Sequence, residues 1–390
     1  MNISHPPRNV QVSVIIPTLN RGHLLGHTLR SIHAQTFLNW EVIVVDDGSI
    51  DRTSEIMEEW LEQDDRIRYF RRQDIALPGT APGAPACRNL GTNLATGTYV
   101  IYVDSDDVLA QHALENRVAC MEQHSDLDFA VFPCMLFQEY PGDLRVLFNQ
   151  DTCGDDLDRF LSLDAPWQTM GPIWRKNAIQ TIGLWDEHLT SLQDFELNIR
   201  AITSGLSYQR FPDPDCFWRV SHQDSISVKS SHDPNAILKH SYLLRKLQIL
   251  LQDANALVGD RHLRLIGLYL HFVDSLLRLN SPDAGLIIWR QCYHKRLIND
   301  SLYRDGCRYI TMIRIVPIRS LKTIIRRLLR QYFQWSWSTP LLMPKWSKTI
   351  MRTPLPRETP IPNVVYCQLV PIVTHPKDSY IPGSHTIYMH

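Results

Sequence analysis

Two apolar runs in this chain each stop at a cluster of aspartates. Trp40-Glu41-Val42-Ile43-Val44-Val45 ends at Asp46-Asp47-Gly48-Ser49, and Tyr99-Val100-Ile101-Tyr102-Val103 ends at Asp104-Ser105-Asp106-Asp107. Continuous β-branched and aromatic runs of this length are the pattern of strands buried on both faces, hence of a parallel sheet. Ligands of open parallel sheets bind beyond the carboxyl ends of the strands. Carboxylates gathered there repel one another unless something positive lies between them, and a divalent cation carrying a phosphorylated ligand meets that need. The feature predicts metal-dependent chemistry on a nucleotide.

The surrounding pattern fits such a sheet. Val12 to Ile16 reads as a first strand closed by Pro17, Leu24 to Gln35 as a helix, Glu41 to Val45 as a strand, and Thr53 to Glu62 as a helix capped by Asp51 or Ser49. A short strand over Ile67 to Phe70 completes the alternation expected of βαβ units. Residues 74–86 read as a loop, 88–95 and 109–124 as helices and 129–132 as a strand; from there to about Trp167 the sequence is irregular. A helix is predicted over 193–204, and two or three more over 235–280. The fold class predicted is α/β: a mostly parallel central sheet flanked by helices, with a C-terminal helical extension. The expected divisions are a catalytic domain over 1–230, a helical extension with a basic amphipathic helix over 231–335, and a Pro-rich tail over 336–390, its prolines giving no regular element and an extended or partly disordered chain.

With 44% hydrophobic residues in 390, the chain can bury a sizeable core. The net charge of −1 hides an asymmetry: residues 306–357 carry eleven Lys or Arg and no acid, while the part before carries −11 and the part after −1. The eight cysteines show no C-x-x-C pair and no zinc spacing, so reduced, mostly buried thiols are expected. The first eleven residues lack an apolar signal core and no run approaches a membrane span, which predicts a cytoplasmic protein, able to lie against the inner face of a membrane.

A D-x-D alone is a weak signal; its place at the end of a buried strand strengthens it. A hard cation such as Mg²⁺ or Mn²⁺ takes one or two carboxylates and leaves positions for phosphates and water. In order along the chain, Val12 to Arg21, Glu41 to Ser49, Ala86-Cys87-Arg88-Asn89-Leu90-Gly91, Gly97-Thr98-Tyr99-Val100 and Val103 to Asp107 together resemble the family 2 inverting glycosyltransferases, over about residues 10–228. The resemblance implies the GT-A, Rossmann-like fold and transfer of a sugar from a nucleotide-diphosphate donor with inversion; uridine diphosphate donors are favoured as the family's commonest. It implies nucleotide binding by Pro17, Thr18, Asn20, Asp47, Arg88, Asp104 and Ser105, with Asp47 on the base and Arg88 beside the base or diphosphate. Asp106 would ligate the metal, with Asp104 and His222 completing its site, and Arg219 would face the departing diphosphate. Asp194 takes the family's base position, although Gln193 stands where relatives commonly have Glu; Glu196 is the runner-up, turned away by helical spacing. Each residue also has a plain alternative: an ion pair for Arg88, a turn carboxylate for Asp47, a dipole-stabilised helix start for Asp194, a satisfied loop histidine for His222.

Leu321, Ile324, Ile325, Leu328, Leu329, Tyr332 and Phe333 fall on one helical face and Lys322, Arg326, Arg327 and Arg330 on the other, followed by Trp335, Trp337 and Trp346. Such a helix over 319–337 suits an anionic membrane surface, or packs its stripe on the catalytic domain. No nucleic-acid partner is expected, because the rest of the chain is acidic and carries no recognised module. The acceptor expected is a glycan or lipid-linked hydroxyl, met by residues 135–170 and the C-terminal helices. A nucleotidyltransferase is a poorer reading, since residues 17–26 lack a Gly/Lys-rich phosphate loop. The other alternative is a non-catalytic nucleotide-sugar or protein-binding module on the same scaffold, which would have no use for a base.

Overall fold

A computed structural model describes residues 10–149, 154–220, 232–315, 354–356 and 358–365. Seven strands form the main sheet: β1 Val12–Thr18, β2 Trp40–Asp46, β3 Ile67–Arg71, β4 Tyr99–Tyr102, β6 Phe129–Val131, β9 Pro172–Arg175 and β10 Tyr208–Arg210, in the order β10-β6-β9-β4-β1-β2-β3. All pairings are parallel except those of β9, which runs antiparallel to both β4 and β6. A smaller sheet joins β5 Val108–Leu109, β7 Cys134–Phe137, β8 Val146–Leu147 and β11 Cys216–Arg219, in the order β5-β11-β7-β8.

The buried runs divide by the two-residue period of a strand. Ile15, Ile43, Val45, Val100 and Tyr102 face one core, and Val12, Val14, Ile16, Val42, Val44 and Ile101 the other. The second core is closed by α1 Gly22–His33, α2 Thr53–Gln63, α5 Ala113–Gln123 and the small sheet. The first is closed by α4 Ala84–Leu94, α6 Asp156–Leu161 and α8 Gln193–Thr203. Four long helices continue that same apolar cluster: α9 Pro234–Asp253, α10 Asp260–Arg278, α11 Pro282–His294 and α12 Asp300–Ile315. Two short helices, α3 Arg72–Ile75 and α7 Lys176–Thr181, complete the described elements.

Several expectations shift. The helix expected over 109–124 begins at Ala113, because Val108 and Leu109 pair as a strand with β11. The irregular stretch to Trp167 contains β7, β8 and α6, and helix continues past residue 280 through α11 and α12. Within the Pro-rich stretch, residues 354–356 and 358–365 lie against the rest of the protein. Leu355 N donates to Arg145 O at 2.8 Å, a guanidinium nitrogen of Arg145 donates to Pro356 O at 2.8 Å and Thr359 O at 2.6 Å, and Gln111 N donates to Asn363 O at 2.7 Å. Leu355, Ile361 and Val364 pack against the second core. The basic stretch 319–337 lies outside the described residues. The six described cysteines are free thiols, and no described helix is long and apolar enough to cross a membrane.

Candidate active site

The parallel register brings the acidic turns together. Thr18 lies beside Asp46, and Ile15 pairs with Tyr102, so the chain leaving β2 and the chain leaving β4 emerge on either side of the end of β1. The sheet's opposite end provides a contrast. Glu41, fully buried there, accepts from Ser13 Oγ at 2.8 Å, Thr96 N at 2.6 Å and Arg68 at 2.9 Å. Burial pushes its carboxyl up, but those donors outweigh burial and hold it low. At the carboxyl rim, by contrast, burial prevails at Asp106 and Asp107 and raises both.

Of the first pair, Asp46 is a turn residue. It accepts from Gly48 N at 3.0 Å, Ser49 N at 2.8 Å, Ser49 Oγ at 2.7 Å and Tyr69 OH at 2.7 Å, with Gly48 at φ +106° closing the turn. Asp47 stands on the rim, where its carboxylate pairs with Arg72 at the start of α3. Sequence reasoning missed Arg72, although an arginine directly after a strand that ends at this rim was a usable signal. Thr18, at the end of β1, is buried, and its Oγ1 has no hydrogen-bond partner among the described residues. Asn20, at φ +53°, holds the loop after β1 to the loop after β2: its N–H donates to Ser49 Oγ and its Oδ1 accepts from Ile50 N. Pro17 is the strand residue paired with Val45. Asn20 and Pro17 thus shape the rim through the backbone.

Arg88 connects the second acidic turn to the candidate base. It is buried at 4% exposure on α4, and its guanidinium donates to Asp104 Oδ1 at 2.6 Å and to Gln193 Oε1 at 3.2 Å. The same cation lies 4.4 Å from the centre of the Trp185 ring. Gln193 is thereby joined to the acidic turn through Arg88, and Asp194 follows it. The Asp194 carboxyl is pushed up chiefly by burial and further by Asp104, against the lowering pull of Phe195 N–H and Arg88. Glu196 is excluded as the base: it is fully buried between Arg200 at 2.8 Å and Lys246 at 2.9 Å.

Asp104 keeps 34% of its side chain exposed, and Ser105 is buried beneath it. Asp106 is pushed up to about 6 by burial and by Asp104, with Arg21 and Arg219 pulling the other way. Asp107 is buried and also raised, by burial first and then by Asp106 and Asp104; its Oδ1 accepts from Arg219 N at 2.7 Å while Oδ2 has no partner among the described residues. Arg219 Nε donates to Asp106 O at 3.0 Å and another of its nitrogens to Gln138 O at 3.0 Å, which ties β11 to the acidic turn. Asp106 and Asp107 resist ionisation beside the Asp104 carboxylate, a crowding that a cation would relieve, so Asp104 and Asp106 fit a divalent metal that also holds phosphate. Among the described residues no three His, Cys, Asp or Glu side chains form a metal-holding group, and His222 lies outside them.

A seven-stranded, mostly parallel sheet with its acids at the carboxyl rim defines the GT-A class. Residues 13–136 match the family described as "Glycosyl transferase family 2". Glycosyltransferase GlyG of Streptococcus pneumoniae is 31% identical over 147 residues, 37% of this chain and 46% of that protein. The Escherichia coli protein named UDP-Glc:alpha-D-GlcNAc-diphosphoundecaprenol beta-1,3-glucosyltransferase WfgD is 33% identical over 110 residues, 28% of this chain and 40% of that one. The chain thus spans less than half the length of these relatives. Staphylococcus aureus TarS 1–349, in complex with UDP, shares the fold with a TM-score of 0.56 at 19% identity, over 85% of this chain and 93% of that one.

Proposed function

We propose that this chain transfers a hexosyl group from a nucleoside-diphosphate donor to an acceptor hydroxyl with inversion, in the synthesis of a glycan or glycolipid. The observation that carries the reading is Arg88, which hydrogen-bonds both Asp104 of the acidic turn and Gln193 next to Asp194. Donor diphosphate and acceptor base are thereby assigned to opposite sides of one guanidinium.

In this reading Asp47 and Thr18 receive the base of the donor, and Arg72 must share Asp47 with it. Asp194 accepts the proton of the acceptor hydroxyl while its oxygen attacks the anomeric carbon opposite the diphosphate; the bond to the diphosphate breaks and the electron pair leaves on its oxygen. Arg88 lies where negative charge grows on the leaving group. Asp106 and Asp104, with His222 as a further candidate, would hold Mn²⁺ or Mg²⁺, and a bound divalent cation supplies charge neutralisation at the diphosphate.

A uridine diphosphate donor and a lipid-diphosphate-linked acceptor are the classes proposed, on the printed activity of the Escherichia coli relative. For residues 319–337 an anionic membrane surface is proposed from sequence alone. Flotation with anionic liposomes tests this: charge reversal of Arg326 and Arg327 is expected to abolish it, and unchanged binding sinks the idea. The activity is tested by incubating a panel of nucleotide sugars with the full chain and Mn²⁺ and measuring nucleotide release. Asp194→Asn is expected to lose at least about a thousandfold in turnover while keeping UDP affinity. Release by that variant at the parent rate would remove Asp194 as the base, and no release by the parent with any donor would leave the binding-module alternative standing.

A further inference from the structure

The helical extension reaches the candidate base through side chains of α9. Three residues before Asp194, the Ser191 hydroxyl lies 2.8 Å from His240 Nε2. Two residues after it, Glu196 accepts from Lys246 Nζ at 2.9 Å. The same ammonium lies 2.5 Å from Asp186 Oδ2, to which Tyr242 OH also donates at 3.0 Å. Asp186 belongs to the loop that brings Trp185 under Arg88. Between these anchors Leu192 holds φ +56°, a left-handed backbone without glycine. Such a conformation is unfavourable for a residue with a side chain and persists only where its surroundings over-determine it. Here the surroundings include one face of α9.

We propose that Lys246 and His240 are positioning residues, through which α9 fixes the Ser191–Glu196 junction and so the direction in which Asp194 points. The inference rests on Asp194 being the base. Glu196 keeps Arg200 as a second partner, and Asp186 keeps Tyr242 and the His188 N–H, so losing Lys246 loosens the junction without leaving either acid unpartnered. The His240 ring stacks on Phe272 at 4.6 Å, so phenylalanine in its place preserves packing and removes the bond to Ser191. Burial lowers His240 to about 4, which keeps that bond between neutral groups near neutral pH.

The test uses the full chain carrying Lys246→Met, Lys246→Arg, His240→Phe or Asp194→Asn. Its readouts are amide hydrogen exchange, UDP binding by calorimetry, and UDP release from UDP-glucose with Mn²⁺. Lys246→Met and His240→Phe are expected to speed exchange within residues 189–197, leave UDP affinity within about twofold, and lower kcat about tenfold to a hundredfold, because a shift near 1 Å is worth that much. Lys246→Arg is expected to restore most of the loss. Unchanged exchange at 189–197 in both variants overturns the proposal, and this readout needs no donor. General acceleration of exchange with matching loss of UDP binding also overturns it, since that is a merely structural role. If Asp194→Asn turns over like the parent, the base assignment and this inference fall together. If it is inactive while Lys246→Met and His240→Phe turn over normally, only the positioning role falls.

Discussion

A guanidinium buried as deeply as that of Arg88 needs charged and aromatic partners, and those partners are the site itself: Asp104, Gln193 and the face of Trp185. Arg88→Lys keeps the charge but loses the planar fork, and is expected to lower kcat/KM about tenfold or more in steady-state assays. Asp194 gives a second expectation. Its carboxyl is raised in the folded state, so ionisation at neutral pH costs stability, whereas protonation is tolerated better than in the unfolded chain. Asp194→Asn should therefore melt at a higher temperature than the parent at pH 7, with the difference shrinking as pH falls through the carboxylate range. The proposed role of Asp194 as base requires its ionised form, so kcat should decline on the acid side from a pH above the ordinary carboxylate value. At this scale the sequence placed the acids but could not divide their labour. Asp46 and Asp47 are neighbours of identical chemistry, and only the turn geometry makes one a hydrogen-bond acceptor for Gly48 and Ser49 and leaves the other for Arg72.

At the scale of elements, α4 matters most, because it carries Arg88 against β1. Its closest approach is at Gly91, where an added Cβ would lie 2.5 Å from Ile15 Cγ2 in the buried face of the sheet. Gly91→Ala is expected to destabilise the fold by about 1–3 kcal/mol in chemical denaturation, since a β-branched core residue has little room to yield. Long, strongly periodic elements such as β1, β2, β4 and α8 were legible from the chain. The small sheet was not, since two-residue strands such as β5 and β8 have no period to read; they exist because β7 and β11 offer edges to pair with. The left-handed Leu192 was equally invisible, being a conformation imposed by packing on a residue that does not favour it.

For the whole molecule, the first core runs without interruption from Ile15 and Tyr102 to Trp289 and Ile310. A chain cut after residue 230 would expose Phe195, Leu197 and their neighbours, and is expected to be recovered as aggregate, or to bind a hydrophobic dye, where the full chain does not. The seating of residues 354–356 and 358–365 has its own consequence. Ile315 ends α12 on one side of the chain's basic stretch, and Pro354 pairs with Val146 on the other. A protease nick anywhere between them should therefore leave two pieces that travel together through gel filtration and part only in denaturant, the short piece acting as a peptide ligand for its own parent.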